Sequence, residues 1–151
     1  MKIKLEQVIE AIETANEAFT YFYDTQTGET VYLQDKMITG ERDEALEELI
    51  ENSPRGRFLR FPTKYDIHEY SIMESFVESL PPSAARQELA HAIRGKGAFR
   101  RFKNGIYFHR IEQQWYDYQA AAYREIAIRW CRDEEIEYIE QNKKAGSGYA
   151  P

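Results

Sequence analysis

Phe19-Thr20-Tyr21-Phe22-Tyr23 and Thr30-Val31-Tyr32-Leu33 are two β-branched and aromatic runs, separated by Asp24-Thr25-Gln26-Thr27-Gly28-Glu29. The runs have the chemistry of strands. The linker has that of a turn with Gly28 at a positive φ, so the stretch reads as a β-hairpin. It decides the fold, because most of the chain on either side is periodic at helical spacing. Upstream, Leu5, Val8, Ile9 and Ile12 recur as one helix face opposite Glu6, Glu10 and Glu13, which predicts a helix over 3–15 that stops near Asn16.

Downstream, Glu41 to Asn52 places Ala45, Leu46, Leu49 and Ile50 among six acids, a surface helix with a narrow apolar stripe. Pro54 and Gly56 break it, and Phe58-Leu59-Arg60-Phe61 reads as a third strand stopped by Pro62. Asp66 with Glu69 has the reciprocal capping arrangement of a helix start, followed by a buried stripe of Ile67, Tyr70, Met73, Val77 and Leu80, widened by Phe76. Pro81-Pro82 ends that helix. Ser83 is placed to cap the next, whose Leu89 and Ile93 face inward. After Gly95 and Gly97, the residues Phe99, Phe102 and Ile106 repeat at helical spacing.

From Ile111 to about Gln141 there is no proline or glycine, which predicts one helix of about 45 Å. Its stripes are Ile111, Trp115, Tyr118, Ala122 and Ile126, and beside them Tyr116, Ala120, Tyr123, Ala127 and Trp130. The expected architecture is α+β, a small three-stranded antiparallel sheet packed with several helices and a long C-terminal helix. We expect one domain over 1–141 and a flexible tail over 142–151, where Lys143-Lys144-Ala145-Gly146-Ser147-Gly148 carries no apolar pattern.

Length and composition agree with this. A chain of 151 residues is large enough to bury a core, and 42% hydrophobic with 30% charged residues is ordinary for a globular protein. Cys131 is the only cysteine, so no internal disulfide forms, and a reducing cytoplasm is expected. No apolar run reaches the roughly 20 residues of a membrane span, and Glu6 interrupts the start before a signal-like stretch develops.

Charge is unevenly spread. The chain carries 20 basic and 26 acidic residues, a net charge of −6. Between residues 86 and 110, however, Arg86, Arg94, Lys96, Arg100, Arg101, Lys103 and Arg110 face one acid, Glu88, a net of +6. The remainder is −12. This island centres on Ala92-Ile93-Arg94-Gly95-Lys96-Gly97-Ala98-Phe99-Arg100-Arg101-Phe102-Lys103, a glycine-hinged turn leading into a helix.

Several of these segments together resemble a known bacterial family. They are Tyr23-Asp24-Thr25-Gln26-Thr27-Gly28-Glu29, the Asp66 to Phe76 helix with Tyr70-Ser71-Ile72-Met73-Glu74-Ser75-Phe76, the Ala92 to Lys103 stretch, Trp115-Tyr116 and Ala127-Ile128-Arg129-Trp130. Over roughly 1–140 the chain is similar to Uncharacterised Protein Family 0158, with Arg94 to Phe102 the most specific part. The resemblance implies a bacterial α+β domain without an assigned activity, and no catalytic residue is carried over from it.

For the island, the functional reading is an anion site. A helix opening near Gly97 leaves backbone N–H groups unpaired, and Arg100 and Arg101 sit in its first turn, where cations are disfavoured. The competing reading holds Arg94 and Arg100 in internal ion pairs with carboxylates such as Glu69, Glu74 and Glu78. In the binding reading the contact surface centres on Lys96, Arg101 and Lys103, with Arg94 and Arg100 holding the loop. A phosphate-bearing ligand, an acidic protein or nucleic acid is the partner class it suits.

Gly95-Lys96-Gly97 is not a nucleotide-hydrolase phosphate loop, because Ala98 and Phe99 follow where Lys and Ser or Thr are needed. Phe99 and Phe102 have the spacing to stack bases if exposed, but with Ile106 they read as core. His68, His91 and His109 lie at no ligand spacing, so no metal or cofactor is implied. No Gly-x-Ser-x-Gly elbow marks Ser53, Ser71 or Ser83, and Cys131 beside Trp130 reads as packed. The expectation is therefore a cytoplasmic binding or adaptor domain with no membrane partner. An enzyme using His91 or His109 with an arginine and a carboxylate in a pocket is the alternative. Self-association through the long C-terminal helix is a third reading.

Overall fold

The computed structural model describes residues 2–140. In chain order its elements are strand β1 (Lys2–Lys4), helix α1 (Leu5–Glu13), strands β2 (Phe19–Asp24) and β3 (Glu29–Gln34) and helices α2 (Lys36–Thr39) and α3 (Glu44–Asn52). Strand β4 (Phe58–Arg60) and helices α4 (Lys64–Ile67), α5 (Glu69–Ser79), α6 (Ala84–Ala92), α7 (Ala98–Phe108) and α8 (Glu112–Asp133) follow, and strand β5 (Glu137–Ile139) comes last. The fold is α+β, with a three-stranded antiparallel sheet in the order β3-β2-β4 and a long C-terminal helix. The tail expected to be flexible, 142–151, lies outside the described residues.

The chain forms two compact units, one from residues up to Ile67 together with those from Tyr123, the other His68–Ala122. In the first, the hairpin predicted from its aromatic runs pairs Phe19 with Gln34 through Asp24 with Glu29. Gly28 (φ 78°) donates its N–H to the Asp24 carbonyl at 2.8 Å and closes the turn. β4 joins the free edge of β2 through Phe22–Arg60, Tyr23–Leu59 and Asp24–Phe58. Below the sheet, Tyr23 meets Phe61, and Phe61 meets the Trp130 ring at 4.9 Å, while Trp130 Nε1 donates to the Arg60 carbonyl at 2.9 Å. Asp24 is buried at the turn because Arg57 donates to it twice (Nε 3.1 Å, Nη2 3.0 Å) and Gln26 N once (2.9 Å), which satisfies the carboxylate.

The sequence reading of this unit needs three corrections. The first residues are not helical: Lys2-Ile3-Lys4 pairs in parallel with Glu137-Tyr138-Ile139, and Ile3 is buried. The C-terminal helix stops at Asp133, about 33 Å from its start, rather than running to 141. A double closure ends it: Glu135 N bonds Arg132 O, Ile136 N bonds Cys131 O at 3.0 Å, and Glu135 takes the left-handed conformation (φ 55°). The reciprocal cap also lies one motif earlier than read. Asp66 Oδ2 accepts from Thr63 N at 2.9 Å and Asp66 N donates to Thr63 Oγ1 at 3.3 Å, which starts α4. His68 (φ 52°) then breaks the helix, and Glu69 opens α5 separately.

The second unit gathers α5, α6, α7 and the first part of α8 around edge-on rings. Phe76–Trp115 is 5.4 Å, Phe102–Trp115 is 4.9 Å, and Phe76–Tyr118 is 5.4 Å between centroids. Such pairs contribute roughly 0.5–1.5 kcal/mol each beyond burial. Ser83 caps α6 as expected, with Oγ accepting from Arg86 N at 3.2 Å. Gly105 lets α7 close on α6, since a Cβ there would sit 2.7 Å from Leu89 Cδ2, and Leu89 is fully buried.

Candidate functional site

The turn from α6 into α7 presents an accounting problem, because the last carbonyls of a helix have no partner within it. Two side chains solve it here. Arg101, folded back from the first turn of α7, donates Nε to the Ala92 carbonyl at 2.9 Å, Nη2 to that of Arg94 and Nη1 to that of Lys96. Tyr70 OH reaches from α5 to the carbonyl between them, Ile93 O, at 2.5 Å. The planar guanidinium supplies its donors in a fixed fork, so the turn is held at three points by one group. Gly95 (φ 74°) and Gly97 (φ 78°) supply the left-handed residues, and a Cβ on Gly97 would meet Arg101 Nη1 at 2.9 Å.

The sequence places Arg101 on the contact surface and gives Arg94 and Arg100 the loop; Arg101, itself exposed, also bonds three carbonyls of that loop. Arg94, Lys96, Arg100 and Lys103 are exposed. Among the described residues, none of the seven cations of 86–110 forms an ion pair with a carboxylate, so the expected partners for Arg94 and Arg100 are not used. The ion pairs lie elsewhere, as Arg57–Asp24 and Arg42–Glu47 do.

An open groove of about 760 Å³ runs beside the turn, lined by Gln87, Glu88, His91, Ala92, Arg94, Lys96 and Arg101. It brings Arg94 and Lys96 together with Arg101's clamp at its wall. Arg100 and Lys103 do not line it; they stand on the solvent face of α7. Phe102 and Ile106 are core as expected, but Phe99 is not: it is 52% exposed, on the α7 face that carries Lys103.

A family model described as Uncharacterised protein family (UPF0158) matches residues 1–148. The chain belongs to UPF0158. It is also 26% identical over 139 residues to UPF0158 protein PA5073 of Pseudomonas aeruginosa, a span of 91% of this chain and 86% of that protein. No solved structure matches it. The bacterial family inferred from the sequence segments is thus the chain's own.

In this UPF0158 chain the histidines fall into three settings. His109 Nε2 meets Glu88 Oε1 at 2.8 Å, His68 Nδ1 meets Ser71 Oγ at 2.6 Å, and His91 is exposed at the groove. Among the described residues no three His, Cys, Asp or Glu side chains are grouped to hold a metal ion, and no helix is long and apolar enough to cross a membrane. Cys131 is buried, and that burial pushes its thiol up to about 11, so it stays protonated near neutrality. Sequence reasoning missed the roles of Tyr70 and Arg101, since the carbonyls they bond carry no side-chain signature. The available hint was Gly97, a residue without a Cβ where the guanidinium must pass.

Proposed function

We propose that the protein is a binding or adaptor domain whose contact surface is the basic region of α6, the clamped turn and α7. Arg94 and Lys96 at the groove, with Arg100 and Lys103 on α7, are the contact residues, and Arg101 with Tyr70 positions them. The observation that carries this reading is that, among the described residues, these cations have no carboxylate partner within an otherwise acidic chain. Cations left unpaired beside a rigid turn favour an acidic protein surface or a phosphate-bearing ligand, which supplies the missing charge.

The groove also groups Glu88, His91 and Arg94, the set an enzymatic reading calls for. Glu88 is engaged by His109, however, and the groove is open to water rather than enclosing a reacting group. Binding is therefore the preferred reading.

The test is affinity capture from bacterial lysate, with and without nuclease, comparing the native chain with a Lys96→Ala, Arg100→Ala and Lys103→Ala variant that keeps Arg101. Loss of the captured partner at unchanged thermal stability is the expected result. Equal capture by both proteins refutes the contact assignment.

A further inference from the structure

The outer face of α7 has more than charge. Phe99, Lys103 and Tyr107 follow one another at i, i+4 and i+8, with Arg100 on the flank, while Phe108, nine residues from Phe99, lies off this strip against His109. Phe99 is 52%, Tyr107 54% and Phe108 76% exposed. Tyr107 is held in place by a 2.9 Å hydrogen bond between its hydroxyl and that of Tyr116 on α8. This is a preordered aromatic and cationic strip that no other described residue covers. The inference below rests on the reading of this surface as a contact site.

The same chain carries a face of opposite character. Neither α2 nor α3 buries a residue, although α3 is amphipathic. Met37 is 92%, Ile38 54% and Leu49 45% exposed. The neighbouring stretch Glu41 to Asn52 holds six carboxylates against Arg42, a net of −5, and Arg42 is already engaged by Glu47. A segment that exposes aliphatic side chains among carboxylates is the complement of an aromatic strip flanked by cations.

We infer that the occupant of the α7 face is the α2–α3 segment of a second copy of this chain. Met37, Ile38 and Leu49 of one copy cover Phe99 and Tyr107 of the next, while Glu44 and Glu48 face Arg100 and Lys103. The matched surfaces are different patches of the molecule, so the contact either closes a two-fold dimer in which each copy offers both patches reciprocally, or joins successive copies head to tail as a heterologous interface. Single-stranded nucleic acid, which also stacks on exposed rings beside cations, is the competing occupant. The exposed aliphatic side chains of α2 and α3 and the acids of that segment favour the second copy, because nucleic acid leaves both unmatched.

Light scattering with size-exclusion chromatography on the nuclease-treated chain, over a range of concentration and salt, tests this. The expected result is a mass that rises above the 17.8 kDa of one chain with concentration at low salt and falls back at high salt. A variant with Arg100→Glu and Lys103→Glu, and another with Glu44→Lys and Glu48→Lys, should each lose association by about tenfold or more. Mixing the two should restore it as a heterocomplex, since each then offers the face the other lacks. Circular dichroism of each variant checks that its helices are intact, and an uncharged Met37→Ser, Leu49→Ser variant should associate as poorly. A native chain that stays at the mass of one chain throughout overturns the inference. If the lysate partner is nevertheless lost with Lys96, Arg100 and Lys103, only the choice of occupant has failed. Association that vanishes with nuclease also overturns it, in favour of nucleic acid.

Discussion

Arg101 differs from the other bases of 86–110 in what its guanidinium faces: three carbonyls of the turn, at Ala92, Arg94 and Lys96. Lysine has the charge but not the fork. Arg101→Lys should therefore leave carbonyls of the turn without donors and cost about 1–2 kcal/mol in urea denaturation. Asp24 offers a second test. The Arg57 hydrogen bonds hold its carboxyl below the ordinary carboxylate range, against the opposing push of burial. The folded state thus binds this proton less readily than the unfolded chain. Its contribution is present above the unfolded value of about 3.9 and is lost as pH falls through the lower folded value. Asp24→Asn should lower the melting temperature near neutrality, and its gap to the native chain should narrow as the pH approaches about 3. At this scale the sequence was legible where a residue acts through its own local backbone, as Gly28 and Ser83 do. It was not legible for Asp24, Tyr70 and Arg101, which bond to groups remote in sequence or indistinguishable in it.

Helices and the hairpin were legible because their signals are periodic and local. Ends and breaks were read less well. β1 and β5 are three residues each and find each other across almost the whole chain, a pairing that no window of sequence reports. The helix before β5 stops on a left-handed Glu135 rather than on glycine, so the usual stop signal is missing. Replacing it with glycine, Glu135→Gly, relieves the backbone and should stabilise the protein by about 0.5–1 kcal/mol, seen as a raised melting temperature. Gly105 predicts the opposite. Alanine gains up to about 1 kcal/mol of helix propensity, but its Cβ would lie 2.7 Å from Cδ2 of the fully buried Leu89, which must shift within the core to admit it. Overpacking of roughly 1–3 kcal/mol outweighs that gain, so Gly105→Ala should lower the denaturation midpoint.

Across the whole molecule the segregation of charge was plain in the sequence, and what the cations face was not. Composition gave +6 over residues 86–110 and −12 elsewhere, which suited internal pairing as well as an outward surface. Among the described residues the acids that form ion pairs do so with other cations or with His109. The same contrast explains how one helix, α7, puts Phe102 and Ile106 in a core and Phe99, Lys103 and Tyr107 in water. A helix with two such faces is stabilised by the first and leaves the second free for a partner.

The central claim, that these cations do no structural work within the chain, is tested most directly by removing them together. The measurement is the thermal midpoint of a variant carrying Arg94→Ala, Lys96→Ala, Arg100→Ala and Lys103→Ala, with Arg101 and Tyr70 intact. The account predicts a midpoint equal to or slightly above that of the native chain, since unpaired like charges near a helix start repel one another and the helix dipole. A fall of several degrees would show that the four side chains hold the fold, and would contradict it.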